Sequence, residues 1–205
     1  MNEILKVVDA FNSKGFKTKY FEKMDKAKEE IKRLIPSTVS IGTGGSMTLK
    51  DSGILKELQD RGNKLLTTSL GGTYTSEEKI SIRKEAMSAD WYMTSSNAIT
   101  VQGDLVNIDG VGNRVGAMIF GPEKVVVLAG KNKITKDPMD AVVRIKREAC
   151  GKNARRLGLD LPCAIDDRCH NCKKPNKMCN VTTRMEHPPS GKEVYVFIVN
   201  EEWGY

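Results

Sequence analysis

Residues 39–46 read Val-Ser-Ile-Gly-Thr-Gly-Gly-Ser, a short apolar stretch that runs directly into a glycine-rich turn. The apolar part predicts a buried strand over Val39–Gly42, and the spacing of Ile54, Leu55 and Leu58 predicts a helix after the turn. Strands that alternate with helices are typical of a parallel sheet. We therefore expect an α/β protein with a ligand site near this turn, because open α/β sheets bind ligands at the carboxyl ends of their strands.

The same alternation of strand and helix continues along the chain. Apolar runs bounded by turn residues predict further strands at residues 17–21, 65–68, 91–95, 125–129 and 194–199. Apolar residues at helical spacing predict helices over residues 4–11, 25–35, 75–87, 112–120 and 138–156. A polar turn at residues 102–104 predicts a hairpin, and we expect the hairpin and the last strand to add antiparallel pairs. The predicted fold is a single α/β domain over residues 1–205, with a mostly parallel, Rossmann-like sheet and helices on both faces.

The composition favours anionic partners. The 205 residues include 33 Lys and Arg against 26 Asp and Glu, which gives a net charge of +7. The lysines are spread along the chain, so we interpret them as a solvated basic surface and expect no binding to nucleic acid. The sequence shows neither a signal-peptide pattern nor an apolar run of about 20 residues. The expected location is the cytoplasm, without membrane insertion.

The glycine-rich turn is the first candidate site. Glycines let a backbone approach a ligand closely, and the N–H groups that open a following helix attract an anion. The same glycines equally suit a tight connection between strand and helix, so the residues alone leave both interpretations open. The turn matches neither a Walker loop nor the G-x-G-x-x-G fingerprint. The candidate binding residues for a small anionic ligand are Gly42, Thr43, Gly44, Gly45, Ser46, Thr48 and Asn113.

Polar residues also follow the strands predicted after residue 90. Asn97, Asp109, Asn113 and Arg114 are expected near the glycine-rich turn, because strand ends of one sheet share an edge. Each residue also has a local interpretation: Asn97 as a turn residue, Asp109 as a helix cap, and Arg114 as the partner of a surface carboxylate. We favour the shared site, in which the Arg114 fork binds a carboxylate or phosphate.

Four segments of the chain together resemble a known family. They are Ile41-Gly-Thr-Gly-Gly-Ser-Met-Thr-Leu49, Ser95-Ser-Asn-Ala-Ile-Thr100, Leu105-Val-Asn-Ile-Asp-Gly-Val-Gly-Asn-Arg-Val115 and Val199-Asn-Glu-Glu-Trp-Gly-Tyr205. In this order they resemble the LUD domain of lactate-utilisation (LutC/YkgG-like) proteins. The resemblance implies a fold like that of the NagB/RpiA/CoA-transferase superfamily, with a glycine-rich turn that binds ligand.

The resemblance also implies a function. Family members act in lactate oxidation beside iron–sulfur oxidoreductase partners, so we expect an accessory or catalytic component of organic-acid oxidation. The segment around Asn97 also resembles a segment of sugar-phosphate isomerases that carries an acidic residue near this position. A neutral amide cannot replace that residue as an acid or base, which argues against isomerase chemistry. The turn also lacks a glutamate that could form a CoA thioester. The candidate catalytic residues are therefore Asp109 and Arg114, which would polarise the ligand, together with Asn97.

Two other functions stay open at this stage. One is a non-catalytic module that binds a nucleotide or a CoA-like metabolite. The other is a redox or assembly protein that uses a cluster of cysteines, Cys163-x5-Cys169-x2-Cys172-x6-Cys179. The Cys169–Cys172 spacing can place two thiolates on one metal, and the outer two cysteines can complete a tetrahedral set, with His170 as a spare ligand.

The flanks of this cysteine segment are polar, so a shared metal is one way to order it. The predicted cofactor is zinc or a [4Fe–4S] cluster held by Cys163, Cys169, Cys172 and Cys179. The alternative is four reduced thiols on an ordered loop. Cys150, on a predicted helix, is interpreted as a packed thiol.

Overall fold

A computed structural model describes residues 3–205. The strands in this range are β1 (Lys17–Phe21), β2 (Ser40–Thr43), β3 (Lys64–Leu66), β4 (Trp91–Thr94), β5 (Ala98–Thr100), β6 (Leu105–Asp109), β7 (Lys124–Gly130), β8 (Ile134–Thr135), β9 (Val181–Met185) and β10 (Glu193–Val199). The α-helices are α1 (Glu3–Ser13), α2 (Met24–Leu34), α3 (Met47–Asp51), α4 (Ile54–Asp60), α5 (Ser76–Ala86), α6 (Asn113–Phe120), α7 (Pro138–Arg144), α8 (Cys150–Arg156) and α9 (Cys163–Asp166).

Six of these strands form a parallel sheet in the order β1-β10-β7-β4-β2-β3. The predicted α/β, Rossmann-like class is confirmed. The expectation for the last strand was wrong, because β10 pairs in parallel with both β1 and β7. Five of its seven residues are buried, and two parallel neighbours satisfy its backbone on both sides.

The central strands present apolar side chains to both faces of this sheet. Val125 and Val127 of β7 pack in one core cluster with α1, α5 and α6. Val126 and Leu128, which point to the opposite face, pack in a second cluster with α2, α3 and α4. Helices therefore cover the sheet on both sides, as the sequence predicts.

Several helices begin at the signals that the sequence contains. Thr75 and Glu78 form a reciprocal capping box at the start of α5. Asp137 accepts a hydrogen bond from the Asp140 N–H at the start of α7, with Pro138 in the first turn. The chain then stays helical through a π turn at Ile145–Ala149 and into α8.

A second, four-stranded sheet has the order β8-β5-β6-β9. The predicted hairpin is its antiparallel pair β5 and β6, so the hairpin does not extend the large sheet. The β9 strand was not predicted, because four of its five residues are at least partly exposed and only Met185 is buried. This sheet packs against the helical stretch from α7 to α8 through a smaller apolar cluster that includes Val106, Ile145 and Cys150.

The chain passes between the two sheets at Ser95–Asn97, after β4, and at Lys131–Lys133, after β7. Both crossings lie at carboxyl ends of central strands, where α/β proteins bind ligands. Within residues 3–205, no helix is long and apolar enough to cross a bilayer.

Close packing of β2 against α5 depends on Gly42. A Cβ at this position would overlap the backbone carbonyl of Ala86, which cannot move without displacing the helix. We expect Gly42→Ala to lower the free energy of unfolding by about 3 kcal/mol, measured by urea denaturation. Gly45→Ala is the matched control, because no atom lies within 4 Å of the position that its Cβ would occupy. Equal stability of the two variants would contradict this account.

Candidate functional site

A cavity of about 430 Å³ lies where the chain crosses between the two sheets. Its wall includes residues from the glycine-rich turn, from both crossings, from the ends of β6 and α8, and from Tyr205. Seven of the ten residues predicted for the ligand site line it: Gly45, Ser46, Thr48, Asn97, Asp109, Asn113 and Arg114. Gly42, Thr43 and Gly44 do not.

The glycine-rich turn divides into a packing part and a part that faces the cavity. A Cβ at Gly44 would lie 2.9 Å from the Tyr92 hydroxyl and 3.1 Å from Cβ of Arg114, so this glycine serves packing. The Thr43 hydroxyl forms a hydrogen bond with the Thr67 hydroxyl, so it too is engaged within the protein. Gly45 is the glycine of this turn that has open space beside it on the cavity wall.

The side chain of Arg114 holds the neighbouring strand ends together. It is 9% exposed, and its five N–H groups all have acceptors within the protein, at 2.7 to 3.2 Å. The acceptors are the backbone oxygens of Ser95 and Ile108 and the side-chain oxygens of Asn97, Asn107 and Asp109. Because its five N–H groups have acceptors within the protein, we assign Arg114 a positioning role, and the direct contact with a ligand that the sequence predicts stays a prediction.

Asp109 and Asn97 belong to the same network. Asp109 accepts from Arg114 through Oδ1 and from the Val115 N–H through Oδ2, which anchors the start of α6. The Asn97 Oδ1 accepts from the Ile108 N–H and from Arg114. The structure therefore brings Asn97, Asp109 and Arg114 together, and their part in binding a ligand stays a prediction. The two residues line the cavity, and their side-chain oxygens accept hydrogen bonds from other groups of the protein.

Lys133 is the residue that sequence reasoning missed. Its side chain is buried, with 3% of the residue exposed, and Nζ donates to the hydroxyls of Thr48 and Ser95, each at 2.8 Å. No carboxylate of the described chain forms an ion pair with it. An ammonium has three N–H groups, and the third has no acceptor among the described residues. The sequence feature that could have indicated Lys133 is its position just after the apolar strand β7, at the edge of the sheet where α/β proteins bind ligands.

Burial changes the acidity of this amine. Removal from water, together with the positive charges of Arg144 and Arg114, lowers the pKa of Lys133 from 10.5 to about 7. The attraction of Asp51 opposes this effect only weakly. Both the charged and the neutral amine are therefore populated near neutral pH.

The cavity wall as a whole is basic. Five of its residues are cationic types and one, Asp109, is a carboxylate that Arg114 already pairs. The cationic residues are Arg83, Arg114, Lys133, Arg156 and Lys177. Such a wall attracts anions and repels cations.

Comparison with known proteins agrees with this architecture. Residues 4–199 match the LUD domain. The chain belongs to the LUD-domain family. Its fold is similar to the crystal structure of a DUF162 family protein from Deinococcus radiodurans, with a TM-score of 0.53, 11% sequence identity, and coverage of 97% of this chain and 96% of that one. No curated protein matches this chain.

The five cysteines of this LUD-domain protein are all free thiols. Cys150 is buried on the cavity wall, and burial raises its pKa to about 12, as expected for a packed thiol. Burial also raises the pKa of Cys163, and the nearby Cys172 and Cys179 add to the effect. Yet no three Cys, His, Asp or Glu side chains between residues 3 and 205 are placed to hold a metal ion. The predicted zinc or iron–sulfur site, with Cys169 as its fourth ligand, stays a prediction.

The saturated network around Arg114 gives a test of its positioning role. Lysine has one amine in place of a planar fork, so Arg114→Lys would leave several buried acceptors without donors. We expect a loss of about 3 kcal/mol in the free energy of unfolding, measured by urea denaturation. Arg83→Lys, on the same cavity wall, is the control and should change stability by less than about 0.5 kcal/mol. An Arg114→Lys variant as stable as the control would refute the positioning role.

Proposed function

We propose that this LUD-domain protein binds a small organic anion in the cavity between its sheets and acts as a component of lactate-type organic-acid oxidation. The observation that carries the proposal is Lys133, a buried amine on the cavity wall with no carboxylate partner among the described residues. The family supports the metabolic setting, because the LUD domain is associated with lactate utilisation.

Charge favours an anion over other ligands. A buried ammonium loses its hydration, and two neutral hydroxyls replace only part of it. A carboxylate near Nζ would accept the third N–H and compensate the charge. The remaining basic residues of the wall, which include Arg83 and Arg156, add to the attraction.

The setting that we propose has two further parts. Oxidation of a 2-hydroxy acid releases two electrons, and we assign their acceptance to an iron–sulfur oxidoreductase partner. We place the protein in the cytoplasm, a reducing compartment that suits its five free cysteines.

A second candidate ligand is a nucleotide or a CoA-like metabolite. The basic residues Arg83, Arg156 and Lys177 on the cavity wall favour it, because each can contact a phosphate. One calorimetric screen distinguishes the two candidates, with lactate, pyruvate, inorganic phosphate, nucleotides and CoA esters as ligands. Binding by the phosphate-bearing compounds alone would favour the second candidate, whereas binding by lactate or pyruvate supports the first.

Removal of the amine tests the role of Lys133. We expect Lys133→Met to weaken lactate binding about 50-fold in calorimetry, because it removes a charged hydrogen bond in a buried site. Lys131→Met, in the same 3₁₀ turn, removes an equal charge from an exposed side chain and should bind like the unmodified protein. Equal affinity of the two variants would contradict the proposal.

The same variant should be more stable than the unmodified protein. Lys133 has a lower pKa in the folded protein than in the unfolded chain. Its charge therefore destabilises the folded protein by the full amount below the folded pKa, and this destabilisation decreases as the pH rises towards the unfolded pKa. We expect Lys133→Met to raise the free energy of unfolding at pH 7 by about 2 kcal/mol. This gain also shows that lost binding is not a result of unfolding.

The affinity for lactate should depend on pH. Lactate keeps its charge between about pH 6 and pH 9. The charge of Lys133 is lost above its pKa of about 7. We expect the affinity to be constant at low pH and to decrease above pH 7, approaching a tenfold decrease for each pH unit. A flat calorimetric profile would exclude Lys133 as the anion contact.

A further inference from the structure

We propose that Lys133 is also a nucleophile, whose Nζ forms an imine with the carbonyl carbon of a 2-oxo acid bound in the cavity. This inference rests on the proposed function, because the same basic cavity must first hold the acid's carboxylate. It adds a covalent step that anion binding alone does not require.

The surroundings of Nζ suit a nucleophilic amine. The amine is buried on the cavity wall and is held from the protein side by Thr48 and Ser95, at 2.8 Å each. Other lysines of the chain pair with carboxylates, as Lys28 and Lys32 do with Glu57. Lys133 has no ion pair in the described chain, and only the weak attraction of Asp51 favours its charged form.

A nucleophilic amine must be neutral when it attacks. Burial, Arg144 and Arg114 lower the pKa of Lys133 to about 7, so much of the amine carries a free electron pair at neutral pH. Desolvation beside other cations is the established way in which proteins activate a lysine toward carbonyl compounds. Here the buried position and the two arginines supply both conditions.

The step is balanced without an oxidant or a reductant. The Nζ electron pair attacks the carbonyl carbon to form a C–N bond, and the carbonyl oxygen takes up a proton as the amine loses one. The carbinolamine oxygen then takes up a second proton, supplied by solvent, and leaves as water, while the nitrogen electron pair forms the C=N bond of a protonated imine. The hydroxyls of Thr48 and Ser95 are within hydrogen-bond reach of Nζ and can relay these protons. A protonated imine keeps its positive charge close to the acid's carboxylate.

The substrate class follows from two requirements. The basic wall selects an anion, and imine formation selects an aldehyde or ketone. A 2-oxo acid meets both requirements, and it is also the class of product that forms when a 2-hydroxy acid is oxidised. Lactate has a hydroxyl in place of the ketone, so it can bind to the same wall but cannot react.

Reductive trapping tests the inference. The full-length protein is incubated with pyruvate and sodium borohydride at about pH 7, digested, and analysed by peptide mass spectrometry. We expect one saturable adduct on Lys133, with the mass of pyruvate less one oxygen atom, and none with lactate. Lys133→Met should lose this adduct, whereas Lys131→Met should retain it. Urea-unfolded protein gives the background for unselective lysine modification.

The outcomes separate this inference from the proposed function. Trapping on Lys133 well above the unfolded background supports the imine. Adducts spread evenly over surface lysines overturn it. If calorimetry shows that lactate and pyruvate bind but no adduct forms on Lys133, the imine is wrong and the anion site stands. If neither acid binds and no adduct forms, both proposals fail.

Discussion

The guanidinium of Arg114 is the interaction on which the site depends. From α6 it reaches the end of β4, the start of β5 and the last residues of β6, and so it joins strands of two different sheets. All of its donors are used, which fixes its position and that of its partners. The lack of a side chain at Gly44 is part of the same arrangement, since the Tyr92 hydroxyl and the Cβ of Arg114 occupy the space that a side chain would need. The first glycines of the turn therefore serve packing, Gly42 against the backbone of Ala86 and Gly44 against these two side chains.

This rigid junction also explains where the buried amine of Lys133 lies. The two crossings between sheets meet at the cavity, one carrying Ser95 and the other Lys133, while Thr48 comes from the helix after the glycine-rich turn. Three separate segments therefore define the surroundings of a single amine. Groups held by fixed backbone from several elements need little rearrangement when a ligand arrives, which is the usual basis of preorganised sites.

The sequence predicted the elements whose signals are local and missed the features that arise from packing. The capping box at Thr75 and the apolar run of β7 are local, and both were found where expected. The exposed strand β9 lacks an apolar pattern, and its place follows from its pairing with β6. Arg114 was recognised as a site residue, but its role depends on how many acceptors surround it. Burial of Lys133 could not be inferred, because lysines are seldom buried and nothing beside it in sequence indicates that Thr48 and Ser95 enclose it.

The buried amine of Lys133 also bears on how long each copy of the protein survives. A buried cation without a carboxylate pair disfavours the native state, so we expect the chain to open more often than its packed cores alone would dictate. Proteases act on such openings, and the anion of the proposed function would reduce their frequency by binding the native state. On that proposal, supply of the metabolite would regulate the amount of the protein through its degradation, without any change in its synthesis.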